Sequence, residues 1–163
     1  MSKITTNEAF RESLSSLTLA QQRVVSAGFI GSVLDLTRDN RIKRAQAMLN
    51  NTDVSAEDLD EAYHSVHSIY VQTSPRSHFS LLDYNKQAEH FVAEACMYSL
   101  APTYFETKKY LLAARVAMYC LMARTCASIN HEGNYPKFTE TEDLVRKEVD
   151  TQYKILSEFL ESI

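Results

Sequence analysis

The chain has 163 residues, of which 45% are hydrophobic, and a formal net charge of −4. That length and composition suit a single domain with a sizeable core, and the acidic balance offers no overall attraction to nucleic acid or anionic lipid. Three glycines and three prolines are too few for the tight turns of a many-stranded β protein. We therefore predict one all-α domain over residues 1–163, an antiparallel bundle of about six to seven helices without a β-sheet.

The first half of the chain has the hydrophobic periodicity of four helices, over about 7–17, 18–38, 41–49 and 55–75. Thr18 and Gln21 have the spacing of a capping box at the start of the second helix, and Ser55 with Asp58 marks the start of the fourth. Gly28 lowers the helix propensity of an apolar stretch. Close approach of another helix backbone would compensate, so we expect the second helix to be buried.

The second half of the chain predicts three more helices, over about 82–100, 103–130 and 139–163. Thr103 and Thr139 each stand three residues before a glutamate and are predicted to cap the last two helices. Beyond its first turns, the helix at 103–130 carries two charges, Arg115 and Arg124, and is apolar on every side. A helix of that kind is buried all round, so we place it at the centre of the bundle.

Three cysteines show neither C-x-x-C nor zinc-like spacing, namely Cys96, Cys120 and Cys126. In apolar helices such residues are expected to be reduced, buried packing groups of a cytoplasmic protein. The first residues lack the apolar region of a signal peptide, and no uncharged run is long enough to span a bilayer. We therefore expect a cytoplasmic protein without a membrane partner.

Glu61 and His64 have the Glu-x-x-His spacing found in di-iron carboxylate bundles. Such a site needs a second copy of the motif and two further glutamates, and the chain has no second copy. The helical wheel also places both residues away from the apolar face of their helix. The preferred interpretation is a solvated flank with an Asp60–His64 pair, and a metal site is the alternative. We expect no cofactor.

Arg115 and Arg124 are unusual because they interrupt an otherwise apolar helix. They are nine residues apart, so they point to opposite sides. An unpaired buried guanidinium is too costly to keep, and the preferred interpretation is a buried salt bridge to Asp35, Glu89 or Glu94. The alternative is an anion pocket in which one of the two arginines binds a small ligand with its planar fork.

The positive charge of the chain is concentrated near its N-terminal third. Residues 1–50 carry a net charge of +3 and the remainder carries −7. Arg38, Arg41, Lys43 and Arg44 form the densest group, which we name the basic edge. The basic edge is interpreted either as a solvated helix end or as a surface that binds phosphate or an acidic protein.

The sequence contains no motif of catalysis such as G-x-S-x-G, H-E-x-x-H or a glycine-rich phosphate loop. The preferred hypothesis is a non-enzymatic helical-bundle protein that acts by protein–protein interaction as an adaptor, an inhibitor or an immunity-type protein. Its partner would be an acidic protein at the basic edge, since too few cations are present for nucleic acid. The alternative is an internal site for a small ligand or a metal, built on Arg115 and Arg124 or on Glu61 and His64. The oligomeric state stays open, homo-oligomers included.

Overall fold

Seven α-helices make up nearly all of the structure, a computed structural model that describes residues 3–74, 83–101, 112–129, 131–132, 135–136 and 138–163. In chain order they are α1 (Asn7–Ser15), α2 (Leu19–Gly31), α3 (Asn40–Leu49), α4 (Ala56–Thr73), α5 (Tyr84–Leu100), α6 (Leu112–Ser128) and α7 (Phe138–Ser162). A short 3₁₀ turn at Leu34–Leu36 connects α2 to α3. The prediction of an all-α, single-domain bundle is confirmed.

Side-chain caps define the starts of five helices, through Thr6, Thr18, Asp39, Ser55 and Asp83. Thr18 completes its predicted capping box, and Ser55 accepts a hydrogen bond from the backbone N–H of Asp58. The predicted cap at Thr139 is wrong, because α7 begins at Phe138 and Thr139 therefore lies inside the helix. The predicted cap at Thr103 lies outside the described residues.

The second helix is shorter than predicted, because α2 ends at Gly31. Ser32 forms its C-cap and donates its backbone N–H to the carbonyl of Gly28. Glycine and serine both have low helix propensity, which explains why the chain leaves the α-helix here. A Cβ added at Gly28 would lie 2.8 Å from Cγ2 of Ile155, so the neighbour that approaches α2 closely is a side chain of α7 rather than a backbone.

The helix α6 is the centre of the bundle, as predicted. It packs most extensively against α5 and also contacts α2, α7 and α1. Its inward residues are all nearly inaccessible to solvent, namely Leu112, Ala113, Val116, Ala117, Cys120 and Ala123. The first part of the predicted helix, 103–111, lies outside the described residues.

The expectation that this helix is buried on every side is wrong. Arg115 is exposed, and the side chains of Met118 and Met122 are 47% and 38% exposed. These three residues follow one another along a single stripe of the helix. The surrounding helices leave that stripe uncovered. The prediction failed because a methionine is apolar whether or not a neighbouring helix covers it, so the sequence alone does not show its exposure.

Two buried amides hold the backbone of α6 in place. Gln22 of α2 accepts a hydrogen bond from the N–H of Ala113 at 3.1 Å and donates one to the carbonyl of Leu17 at 3.2 Å. Gln152 of α7 donates to the carbonyl of Ala117 at 2.9 Å. Because a buried amide without partners is costly, these bonds tie α2 and α7 to specific positions along α6.

A minimal β-hairpin joins α6 to α7. Its strands, β1 (His131–Glu132) and β2 (Tyr135–Pro136), are antiparallel, with His131 opposite Pro136 and Glu132 opposite Tyr135. The prediction of a bundle without a β-sheet holds for the fold as a whole, and this pair of two-residue strands is the one exception among the described residues. Among the helices of the described segments, none has the length and apolar character needed to cross a membrane.

Candidate functional site

The basic edge lies at the start of α3, where three of its four cations face solvent. Arg38, Lys43 and Arg44 are exposed and form no ion pair with any described residue. Arg41 instead binds both oxygens of Asp39 through one edge of its guanidinium, with Nε–Oδ1 at 3.0 Å and Nη2–Oδ2 at 2.7 Å. The structure thus brings the predicted residues together and neutralises one of them with a partner that the sequence reasoning missed.

Asp39 has two roles at this site. It caps α3 by accepting the backbone N–H of Arg41 at 2.9 Å, and it binds the side chain of the same residue. The hydrogen bonds from Arg41 lower the pKa of Asp39, and the charge of Arg44 adds a smaller effect. The carboxylate is therefore held ionised beside the cations.

The helix α4 contributes acidic residues next to the basic edge. A shallow recess of about 260 Å³ between α3 and α4 has Arg41 and Arg44 in its wall together with Asp58 and Glu61. Because these carboxylates line the same recess as Arg41 and Arg44, they reduce the local positive potential. The effective charge of the basic edge is therefore smaller than its sequence suggests. Glu61, predicted as a metal ligand in the alternative hypothesis, belongs to this recess.

Arg124 is the centre of a salt-bridge network. It donates to both oxygens of Asp35 at 2.9 and 3.0 Å, to Oε2 of Glu148 at 3.2 Å, and to the carbonyl of Ser32 at 2.8 Å. The Ser32 hydroxyl also donates to the Glu148 carboxylate, which is 5% exposed. The hydrogen bonds from Arg124 lower the pKa of Asp35. This geometry matches the predicted salt bridge to Asp35 and adds Glu148, which the sequence reasoning missed.

Arg115 has no such network. Its guanidinium carbon lies 5.0 Å from the centroid of the Tyr98 ring, and it forms no ion pair with a described residue. Tyr119 lies one turn after Arg115 on α6. Burial and the neighbouring Glu94 carboxylate raise the pKa of its hydroxyl to about 12. The predicted buried salt bridge of Arg115 is therefore wrong, because this side of α6 is exposed and a cation–π contact takes its place.

Glu61 and His64 lie on the exposed flank of α4, as the helical wheel predicts. His64 is 70% exposed and pairs with Asp60 at 3.5 Å, the predicted i, i+4 contact. Across the described part of the chain, no three His, Cys, Asp or Glu side chains are grouped so that they could hold a metal ion. The metal alternative thus gains no converging ligands from this region.

A groove between α1, α6 and α7 is the feature that the sequence reasoning missed. Its volume is about 550 Å³. The described residues that line it are Asn7, Phe10, Arg11, Ala114, Arg115, Ala117, Met118, Leu121, Val149, Gln152 and Tyr153. Arg115 is the lining residue that the sequence predicts as a candidate site residue. The apolar members have the pattern of ordinary core residues, and their place in a groove is visible once the helices are packed.

Comparison of the chain with models of known protein families, with curated proteins and with solved structures finds no match. Any functional assignment therefore depends on the geometry of the chain itself.

Proposed function

We propose that this chain is a non-enzymatic helical bundle that binds an acidic surface of another protein through the basic edge. The observation that carries the proposal is the exposure of Arg38, Lys43 and Arg44 without an ion pair among the described residues, in a chain whose net charge is −4. Exposed cations that form no ion pair with a described residue are available to a partner.

The chemistry of the edge favours steering over tight anchoring. Cations at the rim of an interface accelerate association and make it sensitive to salt, while most of the affinity comes from apolar contacts elsewhere. The carboxylates of Asp58 and Glu61 beside the edge oppose a long polyanion, because they would repel its backbone. A protein surface with localised acidic residues is the better match.

The test compares two pairs of adjacent exposed cations. Lys43→Glu with Arg44→Glu reverses the basic edge, and Arg146→Glu with Lys147→Glu reverses an equal charge on α7. Arg41 is left unchanged because it holds Asp39, the cap of α3. The native protein is immobilised, and binding partners are captured from an extract of the source cells. The association rate of the captured protein with the native chain and with each variant is then measured at low and high salt.

The expected result is slower association for the α3 reversal, about tenfold or more at low salt, with little change at high salt or for the α7 reversal. Both variants should keep the melting temperature of the native protein. Equal rates for the α3 reversal and the native protein would mean that the edge is a solvated helix surface, and the proposal would be wrong. Retention of nucleic acid in place of protein would contradict it equally.

A further inference from the structure

We propose that the groove between α1, α6 and α7 binds a small amphiphilic carboxylate. The apolar body of the ligand lies in the groove, and its carboxylate contacts Arg11 and Arg115, which together we name the arginine rim. The proposal goes beyond the protein-binding function above. The groove and the basic edge share no residue, so the two hypotheses are tested independently.

The groove has the size and the preformed walls of a small-molecule site. Its volume of about 550 Å³ falls within the range of roughly 300–1,000 Å³ that such sites occupy. Phe10 packs its ring 5.7 Å from Phe29 and 5.2 Å from Tyr153, which fixes the wall that α1 contributes. The bond from Gln152 to the carbonyl of Ala117 fixes α7 against α6 along the floor.

The charges around the groove select an anion. The chain has 21 Asp and Glu against 17 Lys and Arg, yet the charged residues among the described lining are two arginines, Arg11 and Arg115, with no carboxylate. Glu94 acts on this part of α6 through Tyr119 and is not part of the described lining. Within the described lining, a ligand that enters the groove therefore meets two positive charges and no carboxylate.

Both arginines have guanidinium groups that can donate hydrogen bonds to a carboxylate. Arg115 lies over the Tyr98 ring with its Cζ 5.0 Å from the centroid, and its N–H groups form no hydrogen bond with a described residue. Arg11 is exposed and has no ion pair within the described part of the chain. A carboxylate is the group whose two oxygens match the planar fork of an arginine.

Met118 adds an adaptable surface beside this rim. Its side chain lines the groove and is 47% exposed, which is unusual on the central helix of a bundle. An unbranched thioether adjusts to flexible apolar chains at little cost and is favoured at surfaces that bind them. The combination of an apolar trough, an exposed methionine and two cations fits a molecule with one apolar part and one carboxylate.

The experiment uses decanoate as the probe and the methionine methyl groups as reporters. In protein labelled with carbon-13 at the methionine methyls, decanoate should shift the resonance of Met118 and leave that of Met48, in α3, unchanged. Decan-1-ol and decyltrimethylammonium have the same apolar chain without the carboxylate. Both should bind about tenfold more weakly or worse, the ratio expected for loss of one charge-assisted contact.

Variants assign the contact to the rim. Arg115→Gln and Arg11→Gln should each weaken decanoate several-fold without changing the affinity for decan-1-ol, and Arg44→Gln, outside the groove, should change neither. Ala114→Leu fills the half-buried wall of the groove and should abolish the Met118 shift. Each variant is first shown to keep the circular dichroism spectrum and melting temperature of the native protein.

Three results would overturn the proposal. Equal affinity for decanoate, decan-1-ol and the cationic analogue would mean an apolar trough without anion selectivity. Absence of a Met118 shift at millimolar decanoate would mean that the groove takes no such ligand. Binding of an acidic amphipathic peptide, with no binding of decanoate, would assign the groove to a helix of a partner protein.

Discussion

Arg124 shows how a single residue connects three parts of this chain. It lies on α6 and contacts Asp35 in the 3₁₀ turn, the carbonyl of Ser32 after α2, and Glu148 on α7. Its two carboxylate partners differ in environment, because Asp35 has a side chain that is 63% exposed and Glu148 is almost fully buried. The energetic contribution of each partner should therefore differ.

Arg124→Gln should lower the free energy of unfolding by about 3 kcal/mol, because it leaves the buried Glu148 carboxylate without its cation. Asp35→Asn should cost less than about 1 kcal/mol, because water already solvates that carboxylate. Urea denaturation measures both values. Glu148→Gln in the Arg124→Gln background should recover part of the loss, since it removes the stranded charge. Equal losses for Arg124→Gln and Asp35→Asn would show that burial of Glu148 is not the controlling factor.

His90 is a second residue whose environment predicts a measurable effect. It stacks on Tyr70 with ring centroids 4.4 Å apart, and its Nδ1 lies 3.0 Å from the Thr73 hydroxyl. Burial lowers the pKa of His90, and the nearby Glu94 opposes that shift only in part. The unfolded chain, in which a histidine titrates near 6.5, therefore binds more protons between the two pKa values.

The free energy of unfolding should consequently decrease as the pH falls below about 6.5 and through the folded-state pKa of His90. His90→Asn should flatten that part of the stability profile between about pH 7 and pH 5. His64→Asn is the matched control, because it makes the same substitution at a histidine that is largely exposed. A slope that persists in His90→Asn would contradict the assignment to this residue.

At the scale of the element, the contact between α2 and α7 depends on the absence of a side chain at Gly28. The nearest atom to an added Cβ, Cγ2 of Ile155, belongs to a branched side chain that cannot move away freely. At Gly31 the corresponding neighbour is Nε2 of Gln46 at 3.2 Å, the far end of a flexible side chain. Two glycines in one helix thus provide a test and its control.

Gly28→Ala should reduce the free energy of unfolding by about 1 kcal/mol, because overpacking costs more than the gain of about 1 kcal/mol in helix propensity. Gly31→Ala should be tolerated better, since the contact is longer and the end of the Gln46 side chain can shift, at the cost of weakening its hydrogen bond to the Ala27 carbonyl. In the background of Ile155→Ala, the substitution at Gly28 should become neutral or stabilising, and thermal denaturation of the four proteins completes the double-mutant cycle. Additive effects of the two substitutions would mean that Gly28 and Ile155 do not limit the approach of these helices.

At the scale of the whole molecule, the accessibility of the three cysteines indicates how tightly the helices pack around the core. All three are free thiols, and Cys96 and Cys120 are fully buried while Cys126 is half-buried, in contrast to the expectation that all are buried. Burial raises the pKa of Cys96 to about 12 and that of Cys120 well above its usual value. Reaction at those two sites requires the bundle to open, because the thiolate is the reactive form.

A thiol reagent should therefore modify about one thiol readily in the native protein and three in guanidinium. Cys126→Ser should remove the fast reaction, and the slow reaction of the remaining two should follow the opening of the core. Chromogenic titration with time resolves the two classes. Rapid modification of two or more thiols under native conditions would mean that the core around α6 opens easily.

The starts of several helices could be predicted because the interactions that define them are local. Thr18 and Ser55 bond to backbone groups three residues ahead, so the pattern is present in the sequence itself. The i, i+4 contact of Asp60 with His64 is local in the same sense. Asp39 is also a local cap, but the sequence does not show that its carboxylate binds the side chain of Arg41 as well as the backbone N–H.

The amino-acid sequence by itself determined the helical class, the order of the helices and the central position of α6, because apolar periodicity and caps act over a few residues. The tertiary structure alone decided that Glu148 joins Arg124, that Arg115 lies over the Tyr98 ring, and that one stripe of α6 stays uncovered beside a groove. The walls of that groove come from α1, α6 and α7, and α1 is far in the chain from the other two. An apolar residue carries no mark in the sequence that tells whether a distant helix covers it, so exposure and cavities appear once the helices are packed.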